Sequence, residues 1–166
     1  VLVLAHGFGK VGDEAFRSGL APVAGKYPMA VAFGMSMTAS QHVQQALDEL
    51  TAAGADRIVV VPALSSSASD DQLRQWQYMF GLTDDPGYLQ TPRVMTKARV
   101  TWTPALEDHP LVVDMIADYA REMSTNPGKE LVLLVSHGPT LEADNARNLA
   151  LLSRIAARLK DKDGYA

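Results

Sequence analysis

The sequence predicts an α/β fold built on a parallel sheet. Three observations point there. Short aliphatic runs recur along the chain, amphipathic helical segments separate them, and most of the runs are continuously apolar, as strands covered on both faces are. Strands that alternate with helices in this way are joined by right-handed crossovers and run parallel.

Strands are expected at 1–5 (VLVLA), 30–34 (AVAFG), 57–62 (RIVVVP), 98–103 (ARVTWT) and 131–135 (LVLLV). A helix over 13–26 is weakened by Pro22, which should interrupt it. Over 39–53, Val43, Leu47 and Leu50 fall on one helical face, and Gly54 supplies a stop. Over 70–80, Leu73, Trp76 and Phe80 share a face ahead of Gly81. The segment 110–123 carries Leu111, Met115, Tyr119 and Met123 at the same spacing, and Asn126-Pro127-Gly128 ends it. The one long irregular connection is 81–97, with Pro86, Gly87 and Pro92. A last helix over 141–160 carries Leu149, Leu152, Ile155 and Leu159 and runs on to Gly164.

Composition bounds the function. The 166 residues, 47% hydrophobic and 20% charged, suit an ordinary folded domain with a buried core. A net charge of −4, with no basic cluster interleaved with aromatics, argues against nucleic acid as partner. No apolar run approaches the ~18 residues of a membrane span, so no membrane role is expected. With no cysteine, thiolate metal sites and thiol nucleophiles are excluded. The absence of a signal-like segment points to the cytoplasm.

Ligands of parallel α/β sheets gather at the carboxyl ends of the strands. The segments that follow those ends are 6–10, 34–38, 63–71, 103–109 and 137–140. Two of them open alike. Ala5-His6-Gly7 and Ser136-His137-Gly138 each bring a histidine into a glycine turn directly after an aliphatic run. A neutral imidazole beside a glycine suits a divalent transition metal or acid-base work. The plainer alternative is a histidine that hydrogen-bonds backbone within a tight turn. His109, ahead of Pro110, reads as a capping or packing residue, and His42 as a surface residue of its helix. A histidine phosphatase would need an arginine where Ala5 stands. A serine hydrolase is a distant alternative: His6-Gly7-Phe8-Gly9 is like an oxyanion loop, and Gly34-Met35-Ser36-Met37-Thr38 nearly spells a nucleophile elbow. Thr38 replaces the second glycine, however, and the elbow arrives one strand too early.

The texts VLVLAHGFG, VAFGMSMTASQHVQQALDELTAAGADRIVVVPALSSSAS, TPALEDHPLVVDMIADYA and VLLVSHGPTLEADNARNL resemble the class II chelatases, the sirohydrochlorin cobaltochelatase and ferrochelatase family. That resemblance implies a flavodoxin-like parallel sheet with helices on both faces. It also implies two similar halves, with 1–128 as the first unit and 129–166 as the start of a second in a chain shorter than the full protein. The implied reaction inserts a divalent metal substrate, cobalt or ferrous iron, into a tetrapyrrole of the sirohydrochlorin type, in cobalamin or siroheme biosynthesis, with no nucleotide. A homo-oligomer is compatible with it. His6 would then be catalytic and a metal ligand, His137 a second metal ligand, and Gly7, Phe8, Gly34, Met35, Ser66 and Ser67 would contact substrate. Lys10, Arg17, Arg74, Arg93, Lys97 and Arg99 are candidates for its peripheral carboxylates.

Two positions depart from the family pattern. Ser66-Ser67-Ala68-Ser69 has Ala68 where a histidine is usual, and Gly34-Met35-Ser36-Met37 lacks the usual acidic residue. Either the remaining ligands come from the other half, or the protein is a degenerate relative that binds a tetrapyrrole or metal without inserting it. Since adjacent parallel strands end on one edge of the sheet, the loop after the third strand is expected to face the loop that carries His6. Ala68→His should then raise cobalt affinity on the order of tenfold, about 1.4 kcal/mol, and the gain should vanish in a His6→Ala background. Titration calorimetry of the two variants checks this. An equal gain without His6 would show that the loops do not share a metal.

Overall fold

The computed structural model of the chain describes residues 1–34, 39–64, 66–67, 71–87, 89–139 and 141–165. Two compact units divide it, one of Val1–Leu64 and Asp70–Ala105, the other of Ser65–Ser69 and Leu106–Ala166.

The first unit is the sheet. Strands β1 (Leu2–Ala5), β2 (Ala30–Phe33), β3 (Arg57–Pro62) and β4 (Arg99–Trp102) alternate with helices α1 (Gly9–Ala24), α2 (Gln41–Ala52) and α3 (Asp71–Met79). All pairings are parallel, in the order β2-β1-β3-β4. This is an α/β, flavodoxin-like arrangement, as expected. β1 is central and buried at every residue. Leu2 and Leu4 of β1, with Ile58 and Val60 of β3, pack against Val43, Leu47 and Leu50 of α2 and Leu73, Trp76 and Met79 of α3. The stripe read for α2 is therefore buried; of that read for α3, Leu73 and Trp76 are buried, while Phe80, just past the helix end, is partly buried against the same core. α2 and α3 give way at Gly54 and Gly81, where Ala55 N–H donates to Leu50 O (3.0 Å) and Leu82 N–H to Gln77 O (2.9 Å).

α1 contradicts the expected break at Pro22, running through it to Ala24. Pro22 lies in the last turn, where the missing N–H costs a single hydrogen bond and little helix follows to be disturbed. None of its residues is buried. It reaches the opposite sheet face through Phe16, whose ring stands edge-on to Phe33 of β2 at 5.6 Å.

The second unit holds α4 (Pro110–Met123) and α5 (Glu142–Asp163), whose contact buries Val113, Ala117, Leu151, Ile155 and Leu159. Here two expectations fail. The stripe Leu111, Met115, Tyr119 and Met123 does share a face of α4, but that face is exposed. On α5, Leu149 is exposed, and the buried line is Asp144, Asn148, Leu151, Ile155 and Leu159. Spacing identifies an apolar face without saying whether a neighbour covers it.

The expected fifth strand, 131–135, is the third correction. It forms no strand, because among the described residues none pairs with its backbone. It still alternates as a strand would. Val132 and Leu134 pack on the α4–α5 core, while Leu131, Leu133 and Val135 are more than four-fifths exposed.

Ion pairs run along the two helices of this unit. Asp108 meets Arg154 (3.2 Å) and Arg158 (3.3 Å), Lys162 pairs with Asp114, and Arg121 bridges Asp118 (2.6 Å) and Asp163 (2.5 Å). As surface pairs they add little individually. Ahead of the extended segment, Glu130 accepts hydrogen bonds from Ser124 Oγ (2.5 Å), Thr125 N–H (3.1 Å) and Asn126 N–H (2.9 Å). These bonds hold its carboxyl below the ordinary value near 4.5, with Ser124 contributing most. A carboxylate whose pKa falls on folding adds stability above its unfolded pKa and loses it as pH drops through the folded one. Glu130→Gln should therefore lower the melting temperature at neutral pH, and the gap to the parent should close as the carboxyl protonates. Melting curves across the acid range test it, and a gap independent of pH would contradict it.

Candidate functional site

The strand order creates one topological switch point. From β1 the chain crosses to β2 on one side, then returns to place β3 on the other. The crevice outside the carboxyl ends of β1 and β3 is where such sheets bind ligands. Leu4 pairs with Pro62, and the ladder continues with Ala63 N–H donating to Leu4 O at 2.8 Å. His6, the residue after β1, stands directly at this crevice.

Backbone packing sets the site. Gly7 (φ +94°) and Gly34 (φ +133°) both occupy conformations that side chains disfavour. The two meet closely. A methyl on Gly7 would lie 3.4 Å from Gly34 N and 3.6 Å from its Cα. Gly34 is held from two further directions. Its N–H donates to Ala5 O at 3.2 Å, and its carbonyl accepts from Gln72 Nε2 of α3 at 2.8 Å.

His6 is exposed, and its Nδ1 lies 2.9 Å from the carbonyl oxygen of Gly7. A carbonyl only accepts, so the neutral ring carries its proton on Nδ1 and keeps the Nε2 lone pair free to bind. The backbone bond of the plainer reading is thus present, and it leaves Nε2 as the acceptor nitrogen of the ring.

Phe8, more than half exposed, follows in the same loop. Its N–H donates to Asp13 Oδ1 at 2.7 Å, and its Cβ packs so close to Gly12 that no side chain would fit there. The Phe8 ring lies 5.8 Å from Phe16, which in turn contacts Phe33. Arg17 completes the row, its guanidinium carbon 4.5 Å from the Phe33 centroid. Of the other basic candidates, Arg93 is engaged by Asp84 (2.6 Å) and lies over Tyr78, and Arg74 approaches Asp71 at 3.8 Å.

The structure thus brings His6, Gly7, Phe8 and Gly34 together within the first unit. Ser66, Ser67 and His137 belong to the second. Ser66 is buried, and Ser67 is occupied: its N–H donates to Glu107 Oε1 at 2.7 Å and its hydroxyl to the same oxygen. His137 is exposed. Met35, Ser36, Thr38 and Ala68 lie outside the described residues. Among the described residues, no group of three or more His, Asp or Glu side chains gathers to hold a metal. His109 is the cap expected of it, with its Nδ1 accepting from Leu111 N–H at 3.2 Å.

His42 does not match its surface reading. On the first turn of α2 it is half-buried, and burial pushes its imidazole below the ordinary pKa. Its Nε2 lies 3.9 Å from where a Gly34 side chain would begin. Helical spacing hid this, because it depends on the bend at Gly34.

The unit presents an imidazole at its switch point, beside paired glycines and an aromatic row, at the place where parallel α/β sheets bind ligands. A family model described as CbiX matches residues 1–123. The chain belongs to that family, the class II chelatases of the sirohydrochlorin cobaltochelatase type. Membership carries tetrapyrrole metal chelation as activity, with a divalent metal ion and a tetrapyrrole as substrates. Comparison with curated proteins gives no match. Among the described residues, no helix is long and apolar enough to cross a membrane.

Gly7→Ala tests the backbone packing. The methyl would meet Gly34 at ordinary contact distance, so the cost lies in the positive φ and should reach about 1–3 kcal/mol. Urea unfolding measures it, and an unchanged midpoint would show that the loop does not need this conformation.

Proposed function

We propose that this protein inserts cobalt or ferrous iron into a sirohydrochlorin-type tetrapyrrole, acting in the cytoplasm as a lyase of cobalamin or siroheme biosynthesis. The carrying observation is His6, an exposed imidazole at the switch point with Nδ1 committed to backbone and Nε2 open. A single imidazole with water completing the shell binds a divalent metal weakly. Weak binding suits a metal that must be released again. His6 holds the incoming ion, and its nitrogen becomes a proton acceptor once the ion has left. Gly7 and Gly34 let a flat macrocycle approach the backbone, Phe8 offers it an apolar face, and Arg17 is placed to meet a peripheral carboxylate. Residues 129–166 are read as the opening of a second, similar unit, with His137 as its metal-binding imidazole. Support comes from the repeated His-Gly text and from 131–135, which keeps the alternation of a strand.

A second reading, a relative that binds tetrapyrrole or metal without inserting it, is favoured by Ala68 standing where the family has a histidine. One experiment separates the two. The protein is mixed with sirohydrochlorin and Co2+ or Fe2+, and insertion is followed by absorbance. The expected result is insertion by the parent, reduced roughly 10²-fold or more in His6→Ala with no change in melting temperature. Binding of cobalt without insertion supports the second reading. Parent-level insertion by a folded His6→Ala would remove His6 from the reaction.

A further inference from the structure

We propose that Asp13 is a positioning residue for tetrapyrrole binding, holding the Phe8 ring where the macrocycle lies over the rim. The role rests on the reading of Phe8 given above and adds the group that fixes it. Phe8 stands between Gly7 (φ +94°) and Gly9 (φ +73°), residues whose backbones are the least restricted. Its ring is more than half exposed, so burial does not hold it either. What ties it down comes from α1. Asp13 Oδ1 accepts from the Phe8 N–H at 2.7 Å, and the Phe16 ring lies 5.8 Å from the Phe8 ring, tilted by 36°.

Asp13, Phe16 and Arg17 follow i, i+3, i+4 spacing and so share one face of α1. No residue of this helix is buried, so core packing does not account for that face. Asp13 and Arg17 also stand at the spacing of a helical ion pair, yet each is engaged elsewhere. Asp13 holds the Phe8 N–H, and the Arg17 guanidinium carbon lies 4.5 Å from the Phe33 centroid. Phe33 is in turn the register partner of Ala5, the residue before His6. This face of α1 therefore borders the loop that carries His6, and its side chains order the row Phe8, Phe16, Phe33.

A tetrapyrrole is a flat π-system, and its contact with an aromatic ring depends on the position and tilt of that ring. A Phe8 free to swing would have to be ordered at each binding event, and the lost entropy would weaken affinity. The Asp13 bond makes that ordering part of the folded state. Asp13 touches no reacting atom in this role. It sets how tightly the macrocycle is held and leaves the transfer of metal and protons alone.

Asp13→Ala removes the acceptor, whereas Asp13→Asn keeps an oxygen in the same place. Metal-free sirohydrochlorin is titrated into the protein and followed by absorbance, insertion of Co2+ gives KM and kcat, and melting temperature reports the fold. For Asp13→Ala the expected result is a Kd and a KM raised roughly tenfold, with kcat and melting temperature close to those of the parent. Asp13→Asn recovers most of that loss. In a Phe8→Ala background Asp13→Ala adds no further loss, because the two residues act as one unit. Asp13→Ser, too short to reach the amide, stands in if Asp13→Ala does not fold. Parent affinity in Asp13→Ala would overturn the proposal, as would a loss confined to kcat or to melting temperature. An equal loss in Asp13→Asn would make charge the active feature, and an added loss in the Phe8→Ala background would place the action elsewhere. Either result overturns the role. A parent that binds sirohydrochlorin but inserts no cobalt would overturn the insertion reading alone, since the affinities still report on Asp13. A parent that binds none would overturn both.

Discussion

The close approach of Gly7 to Gly34, where a methyl on Gly7 would already meet the Gly34 backbone at 3.4 Å, is the constraint on which the rest of the rim depends. It joins the ends of β1 and β2, and neither residue tolerates a side chain without strain at its positive φ. Gln72 reaches from α3 to the Gly34 carbonyl, so a helix that follows β3 also holds the junction. The bend at Gly7 turns its carbonyl toward His6 Nδ1, and the bend at Gly34 leaves room beside His42. Chemistry at the site is thus specified by two residues that carry no functional group.

Much of the fold was legible because the core is made by local patterns. β1 to β4 were each readable as apolar runs, and the Val43, Leu47, Leu50 and Leu73, Trp76 stripes of α2 and α3 mark the faces that the sheet covers. Reading failed where the outcome depends on a neighbour. Leu111, Met115, Tyr119 and Met123 are regularly spaced yet exposed, and LVLLV has the composition of a strand without a paired backbone beside it. Pro22 does not break α1, because the cost of a proline depends on how much helix follows it.

The site was legible to a similar depth. His6 and the glycine after it stand out in sequence, since a polar ring at the end of an aliphatic run needs a reason. His42 does not stand out, because only the turn of the chain at Gly34 brings its nitrogen to the rim. Ser67 shows the reverse error. It lies in a rim loop by sequence, but Glu107 takes both its N–H and its hydroxyl. The cations divide in the same manner: Arg93 serves Asp84, whereas Arg17 lies on the aromatic row.

The central claim is that backbone geometry readies one nitrogen of His6 for a metal. Long-range proton–nitrogen correlation spectra of the imidazole rings, recorded at mildly alkaline pH where imidazoles are neutral and then with added Zn2+ as a diamagnetic probe, test it most directly. The account predicts that the metal-free His6 ring is protonated on Nδ1, and that the Nε2 resonance of His6 moves when the ion is added. A His6 ring protonated on Nε2, or an ion that shifts other histidines and leaves His6 unchanged, would contradict it.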